Sequence, residues 1–431
     1  MKLFSQTLGL LAAALLGSAA GAQAQQLAFP GAEGFGRFAT GGRGGSTYHV
    51  TNLADSGKGS FRDAVSQPGR IIVFDVGGVI HLKEKIRAAS RLTIAGQTAP
   101  GEGIVLYGNG VSFSDSTIVR YLRFRGSAGM PRGACTVVAD NLKDIIFDHI
   151  SIQWGRWDDL HIKNSSNVTM QYCLIGESID PQRFGALFEG PTNVTIHHCL
   201  WAGNQSRNPK AKAGIEYINN VVYNWGKSGL VGGHSAADHH QDVINNYFVA
   251  GPNSSTDFIS MFSATDHVFH GGNYVDLDKD GVLNGRLVAD SDFVREKATL
   301  VPQKQNNPSV AVVVESAADA FSRVVAEAGA SLHRDAIDTR IIGYVQSKGK
   351  QGQIIKNEAD AGGQGTVNGG PSLKDTDRDG LPDAWEKAHK LNPRKAGDAT
   401  AIVKESGYTR LEEYLNELVK KPAADSKVAG R

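Results

Sequence analysis

Asp375, Asp377, Asp379 and Glu386 have the spacing of a cation cage. The run Asp375-x-Asp377-x-Asp379-Gly380, then five residues, then Glu386 meets every position of a twelve-residue calcium loop. On that pattern the side chains of Asp375, Asp377, Asp379, Asp383 and Glu386 ligate Ca2+ together with the Leu381 carbonyl, while Gly380 permits the sharp turn. Residues 385–391 read as a helix leaving the loop. The Gly-rich residues 362–373 offer no entering helix, so the loop stands outside a full EF-hand. A cage satisfied by metal has no group left for catalysis, which makes its role structural. A partial copy, Asp276-x-Asp278-x-Asp280-Gly281, lacks an acid at its twelfth position, Leu287, so calcium loop and acidic turn are equally open there.

A second group is cationic: Arg183, Arg207, Lys210 and Lys212 fall within thirty residues, with Asp158-Asp159 upstream after Trp154-Gly155-Arg156-Trp157. The whole chain carries 45 basic and 44 acidic residues. A neutral protein is no general polyanion binder, which argues against nucleic acid; an anionic substrate has to be met by a local cluster such as this one.

The elements that position these groups are strands. Asn167-Val168-Thr169-Met170-Gln171-Tyr172-Cys173-Leu174-Ile175 reappears 26 residues later as Asn193-Val194-Thr195-Ile196-His197-His198-Cys199-Leu200-Trp201. The same shape stands at Asp144 to Ile152, offset by 23, and continues at Ile218-Asn219-Asn220-Val221-Val222-Tyr223 and Ile244-Asn245-Asn246-Tyr247-Phe248, at offsets of 22 and 26. Each unit alternates with period two and has no 3.6 period, so the repeat is a strand repeat. Units of this size stack because none buries its apolar face alone. The economical solution is a right-handed parallel β-helix with one coil per repeat. Residues 71–76, 92–95, 104–106 and 117–124 read as strands of further coils. The glycine-rich stretch 31–45 lacks the Gly-Lys-Ser/Thr ending of a phosphate loop and reads as an irregular entry to the first coil.

Residues 1–24 read as a secretory signal: Lys2, an apolar stretch from Leu8 to Ala20, and a small-x-small cleavage site, Ala22-Gln23-Ala24. The run is too short for a membrane span and no other reaches the necessary length. The mature chain is then secreted or periplasmic, with 44 charges of each sign. Its three cysteines are no disulfide framework; Cys173 and Cys199 share a register and read as stacked buried thiols. Residues 25–300 form the β-helix domain, and residues 301–370 a helix (316–330) and loops packed along it. Residues 371–431 are the calcium-loop tail, ending in an amphipathic helix at 408–419. The mature chain is expected to be a monomer.

Several stretches resemble the pectate lyases of polysaccharide lyase family 1: Phe29-Pro30-Gly31-Ala32-Glu33-Gly34-Phe35-Gly36, Ile94-Ala95-Gly96-Gln97-Thr98-Ala99-Pro100-Gly101, Asp148-His149, Ser206-Arg207-Asn208-Pro209 and Asn219 to Trp225. The resemblance implies a parallel β-helix, secretion, and calcium-assisted cleavage of polygalacturonate, the acidic backbone of pectin, by β-elimination. That reaction needs a base for the C5 proton, cations to neutralise the uronate carboxylate, and departure of the glycosidic oxygen. By resemblance Arg207 takes the proton, and Lys212 stands where the family has a second substrate-gripping arginine. Arg183 takes the place of a substrate-binding lysine that is missing here, and Lys210 adds to the cationic cluster. Asp158 and Asp159 lie where the family supplies cleft calcium ligands, but the partner acid expected one coil earlier is replaced by Cys135. Asp148-His149 belongs to the stack away from the cleft, and for Glu177 and Asp180 a role in the cleft and a solvated turn are equally open.

Two other functions compete. A polygalacturonase would use Asp158-Asp159 as acid and base, but its further aspartate in an Asn-Thr-Asp setting is absent and it has no use for Arg207. A pectin-binding or structural β-helix without activity is favoured by the missing cleft acid.

Overall fold

The computed structural model describes residues 25–308 and 311–420; the leader assigned to 1–24 lies outside the described residues. Among those residues the strands form three sheets of 11, 10 and 8 strands. Each coil gives one strand to each sheet. Lys143–Asp148 belongs to the first, Ser151–Gln153 to the second and Asp158–Lys163 to the third, and Ser166–Gln171 returns to the first. Successive coils pair in parallel, Ile145 with Val168, Val168 with Val194 and Val194 with Ile215. The molecule is a parallel β-solenoid, as the repeat implies; among the described residues Arg286–Leu287 is the one strand of the three sheets that pairs antiparallel.

Two details depart from the sequence reading. His197 pairs with Ile218, so that coil is 21 residues long and not 22. The run 117–124 is two strands, Thr117–Arg120 in the first sheet and Arg123–Arg125 in the second. Tyr121 turns the corner between them at φ 55. A left-handed backbone normally signals itself by glycine, and here a tyrosine occupies it, so the corner is invisible to pattern.

That corner recurs in every central coil and is held by stacking. Tyr121, His149, Tyr172 and His198 all have φ between 51 and 55. Their rings lie face to face at 4.7, 4.8 and 5.0 Å, which offsets the strain of a positive φ. The residue after each corner points inward: Leu122, Ile150, Cys173 and Cys199, then Asn220 and Asn246, all buried. Cys173 and Cys199 are free thiols, the Cys173 amide donating to the Cys199 sulfur at 3.4 Å. From Asn220 the ladder becomes polar and self-satisfying: Asn220 Nδ2 donates to Asn246 Oδ1 (3.0 Å) and Asn246 Nδ2 to Asn273 Oδ1 (2.9 Å). Asn246→Leu should leave the Asn220 amide and the Tyr217 carbonyl without their partners. A loss of about 2 kcal/mol, read as a lower urea midpoint, is expected.

Two of the three outer faces are covered. On the first sheet, Ala28, Phe29 and Ala32 pack over Ile118 and Ile146, and Leu411, Tyr414 and Leu415 over Ile71, Val73 and Ala95. On the second, helices Ala317–Glu327 and Ala336–Gln346 pack Phe321, Val324, Ile341 and Val345 over Leu200 and Tyr223. The second of these helices was not foreseen. It is pinned by the fully buried Arg125, whose Nη1 and Nη2 bond Asp335 (2.6 and 3.0 Å) and whose Nη2 also bonds Asp338 (3.0 Å). The third sheet has no such cover in these apolar clusters. Its inward residues, among them Val137, Leu160, Ile162 and Phe188, fill the core. Their neighbours Val138, His161, Lys163, Glu189 and Lys212 stay partly exposed. Among the described residues no helix is long and apolar enough to cross a membrane.

Candidate active cleft and metal loop

Three adjacent coils build the site on that bare face, through the strands Asp158–Lys163, Phe184–Glu189 and Lys210–Lys212 and the loops that lead into them. Asp158 pairs with Phe184, and Phe184 bridges to Ser206, so the three positions stand in one row. Arg207 follows at φ 61 and reaches back across two coils. Its Nη1 lies 3.0 and 3.2 Å from the two oxygens of Asp158, and its guanidinium sits 4.0 Å over the Phe184 ring. An ion pair and a ring face together fix its direction. Among the described residues its Nε and Nη2 make no hydrogen bond. Gly185 is required for this approach, since a Cβ there would stand 2.6 Å from the Arg207 carbonyl oxygen. The loop is tied down by Asn208, which accepts from Asn204 Nδ2 (3.0 Å) and donates to the Ser228 carbonyl (3.2 Å).

The charges are arranged asymmetrically. Asp158 is fully buried, and burial pushes its carboxyl up to about 7 although Arg207 pulls the other way. Lys210 is held below its ordinary value by burial first and then by Arg207 and Lys212. Lys212 stands 3.6 Å from Glu189, which His161 also approaches at 3.6 Å. Arg207, Lys210 and Lys212 are thus brought together. Arg183 is not brought into that group; it lies next to Phe184, but its Nε turns to Asp180 at 3.1 Å.

Asp159 is also fully buried. Its Oδ1 accepts from the Gly155 amide (2.7 Å), its Oδ2 has no partner, and burial holds its carboxyl well above the usual range. Cys135 stands where a third carboxylate would be needed: its sulfur takes a hydrogen bond from the Asp158 amide, and burial pushes the thiol up to about 12. With Asp158 engaged by Arg207, these residues do not assemble an oxygen cage that fits calcium. Glu177 is no solvated turn residue. It is buried and gripped by Arg340 through bonds of 2.5 and 2.8 Å, because the unforeseen helix carries that arginine against its loop. Asp148 is buried at the first-sheet corner, bonded by Arg120 Nε and His149 Nδ1, both at 2.7 Å. Burial alone would raise its carboxyl, but these two partners hold it below the usual range.

Sequence reasoning missed Phe184, Gly185 and Glu189. Their signal is positional: each pairs or packs with a noted residue one coil away, which is legible only once the register of the third sheet is known.

The tail loop presents the opposite picture. Oxygens of Asp375, Asp377 and Asp379 lie within 4.8 Å of one another, and this is the one such group among the described residues. Both carboxylate oxygens of Asp377 and both of the fully buried Glu386 lack hydrogen-bond partners. Burial, then the carboxylates of Asp377, Asp379 and Asp375, pushes Glu386 up to about 7; burial and the same neighbours push Asp379 to about 6. The orphaned oxygens of Asp377, beside those of Asp375 and Asp379, fit a hard cation. Gly380 makes the turn at φ 98. Asp383 is bonded by the Thr376 amide and hydroxyl (2.8 and 2.9 Å) and by Lys374 Nζ (2.9 Å), which closes the loop. In the partial copy Asp278 and Asp280 accept from amides of their own turn.

No family model matches the chain. The chain is 44% identical to "Probable pectate lyase C" of Aspergillus flavus over 397 residues, 91% of this chain and 94% of that one. It is 45% identical to the protein of the same name from Neosartorya fischeri over the same shares. "Putative pectate lyase 21" of Arabidopsis thaliana is 25% identical over 258 residues, 54% of this chain and 65% of its own. Among solved structures, a thermostable pectate lyase, PL 47, superposes with a TM-score of 0.56 at 13% identity, over 72% of this chain and 99% of that one. A pectate lyase bound to a hexasaccharide superposes with a TM-score of 0.54 at 14% identity, over the same shares. These likenesses speak for the shared solenoid. The extended identity with the fungal proteins speaks for more: the chain belongs to the pectate lyase family.

Proposed function

We infer that this protein is a secreted pectate lyase that cleaves (1→4)-α-D-galacturonan by β-elimination and leaves a 4,5-unsaturated sugar. The observation that carries the reading is Arg207, fixed by Asp158 and Phe184 over the one uncovered sheet face, with Lys210 and Lys212 beside it. A galacturonate seated there meets the free edge of the guanidinium at its C5–H. Arg207 takes that proton, and the lysines neutralise the carboxylate as charge moves onto it. The electron pair left at C5 forms the C4–C5 double bond and expels the glycosidic oxygen at C4. An arginine is a poor base in free solution; what the site adds is a fixed direction toward the C5–H. Arg183 grips a second carboxylate only if substrate displaces Asp180. Asp375, Asp377 and Asp379 of the tail loop would hold a calcium ion, which would neutralise their carboxylates; Thr47, whose hydroxyl donates to the Asp379 carbonyl, and the Leu381 cluster fasten that loop to the solenoid.

The hydrolase reading needs both Asp158 and Asp159 to face the sugar, and Asp159 is buried against Gly155. Incubating the protein with pectate should therefore give an ultraviolet-absorbing unsaturated product. Reducing ends without that absorbance would mean hydrolysis, and neither signal on any pectin would mean a binding protein.

A further inference from the structure

Three of the solenoid's tryptophans, Trp154, Trp201 and Trp225, are completely buried, as their size and apolar surface dictate. Trp157 is the exception. It keeps 37% of its surface exposed although it immediately precedes the fully buried Asp158. Its ring stands edge-on to Phe184, 6.5 Å away at 84°, and Phe184 in turn carries the Arg207 guanidinium. The ring also borders the turn at Gly133, where a Cβ would be 3.8 Å from Cε3. Among the described residues its indole N–H has no hydrogen-bond acceptor. The ring thus offers a flat apolar surface and a donor directly beside Phe184 and the Arg207 guanidinium.

We propose that Trp157 is a sugar-stacking platform, which receives the C–H face of a pyranose ring while its N–H donates to that sugar's hydroxyl or carboxylate. The proposal rests on reading the cleft as a polyuronate site. The Arg207 guanidinium reaches back to Asp158, and it and the Trp157 ring stand against the same Phe184 ring, at 4.0 and 6.5 Å. A sugar stacked on Trp157 therefore lies beside the guanidinium. The platform's contribution falls on affinity, whereas the proton transfer belongs to Arg207. Phe184 carries the guanidinium on its face and borders the Trp157 ring at its edge, so the platform and the base share one support.

The test is calorimetric titration of hexagalacturonate into the full chain, with Arg207→Lys as the parent so that turnover does not consume the ligand. Trp157→Ala should weaken binding about tenfold, and Trp157→Leu should do the same, since it keeps apolar bulk but no flat face. Trp157→Phe should stay within about twofold of the parent. Ligand should also shift the tryptophan fluorescence of the parent and leave that of Trp157→Phe unchanged, because the other solenoid tryptophans are buried. Trp157→Ala binding as tightly as the parent would overturn the platform while leaving the cleft intact. Trp157→Phe binding as weakly as Trp157→Ala would overturn stacking as its mode. A parent that binds no hexagalacturonate would overturn the uronate reading itself, and the platform with it.

Discussion

Arg207→Lys should lose about 10²–10⁴-fold in kcat on pectate while KM changes little, the range for removing a positioned general base. Lysine keeps the positive charge, so a merely electrostatic role would survive the exchange. It lacks the planar fork that lets one edge bond Asp158 while the other faces substrate. It also lacks the flat cation that lies over Phe184. Initial rates of unsaturated product, measured across substrate concentration, separate the two constants. Activity within a few-fold of the parent would remove Arg207 from the chemistry. The pH profile carries a second, independent expectation. Asp158 titrates near 7 because burial disfavours its charge. Below that pH it is neutral and Arg207 loses its ionic anchor; above it the pair is formed. The acid limb of kcat/KM, which reports the free enzyme, should therefore fall with a midpoint near 7. Asp158→Asn should abolish that limb and lower the plateau.

Much of this arrangement was legible in the sequence, for reasons that can be named. Period-two alternation repeated at a fixed interval leaves a stack of strands as the only way to bury each unit, so the solenoid and most of its register follow from Val168, Val194 and their equivalents. Arg207 lies three residues before the short strand that carries Lys210 and Lys212, so the three could be grouped without a structure. What stayed hidden depends on neighbours one coil or more away. Phe184 beneath Arg207 and Glu189 beside Lys212 are brought there by pairing across the third sheet. Arg340 on Glu177 and Asp335 on Arg125 come from a helix some 160 to 210 residues downstream. The helix Ala336–Gln346 was missed because its apolar residues, Ile337, Ile341, Ile342 and Val345, are few and sit among polar ones; burial against the second sheet supplies what the local pattern lacks. Tyr121 shows the same limit at a single residue, since stacking on His149 and not its own propensity puts it in a left-handed corner.

Calcium should raise the melting temperature of the protein at pH 8, by about 5 °C at a thousandfold excess over Kd, where binding adds about 4 kcal/mol to a chain of this length. The acids of the tail loop set the pH dependence. Glu386 and Asp379 are raised to about 7 and about 6, by burial and by one another's neighbours, so the metal-free folded loop prefers them protonated. Groups raised in this way give stability that is fully present below the unfolded values near 4 and is lost as pH rises through 6 to 7. In chelator the melting temperature should therefore fall between pH 5 and pH 8; with calcium it should not, because the metal takes over from the protons. Two variants separate a cage from an acidic turn. Asp377→Ala removes two orphaned oxygens from the centre and should abolish the calcium response at every pH. Glu386→Gln removes one charge from the cluster while keeping its shape. In chelator at pH 8 it should melt higher than the parent, and with calcium lower. That crossing of sign is what convergent carboxylates around a cation require. A calcium response unchanged in both variants would show that the metal binds elsewhere, and a Glu386→Gln protein less stable in chelator would show that these acids do not repel.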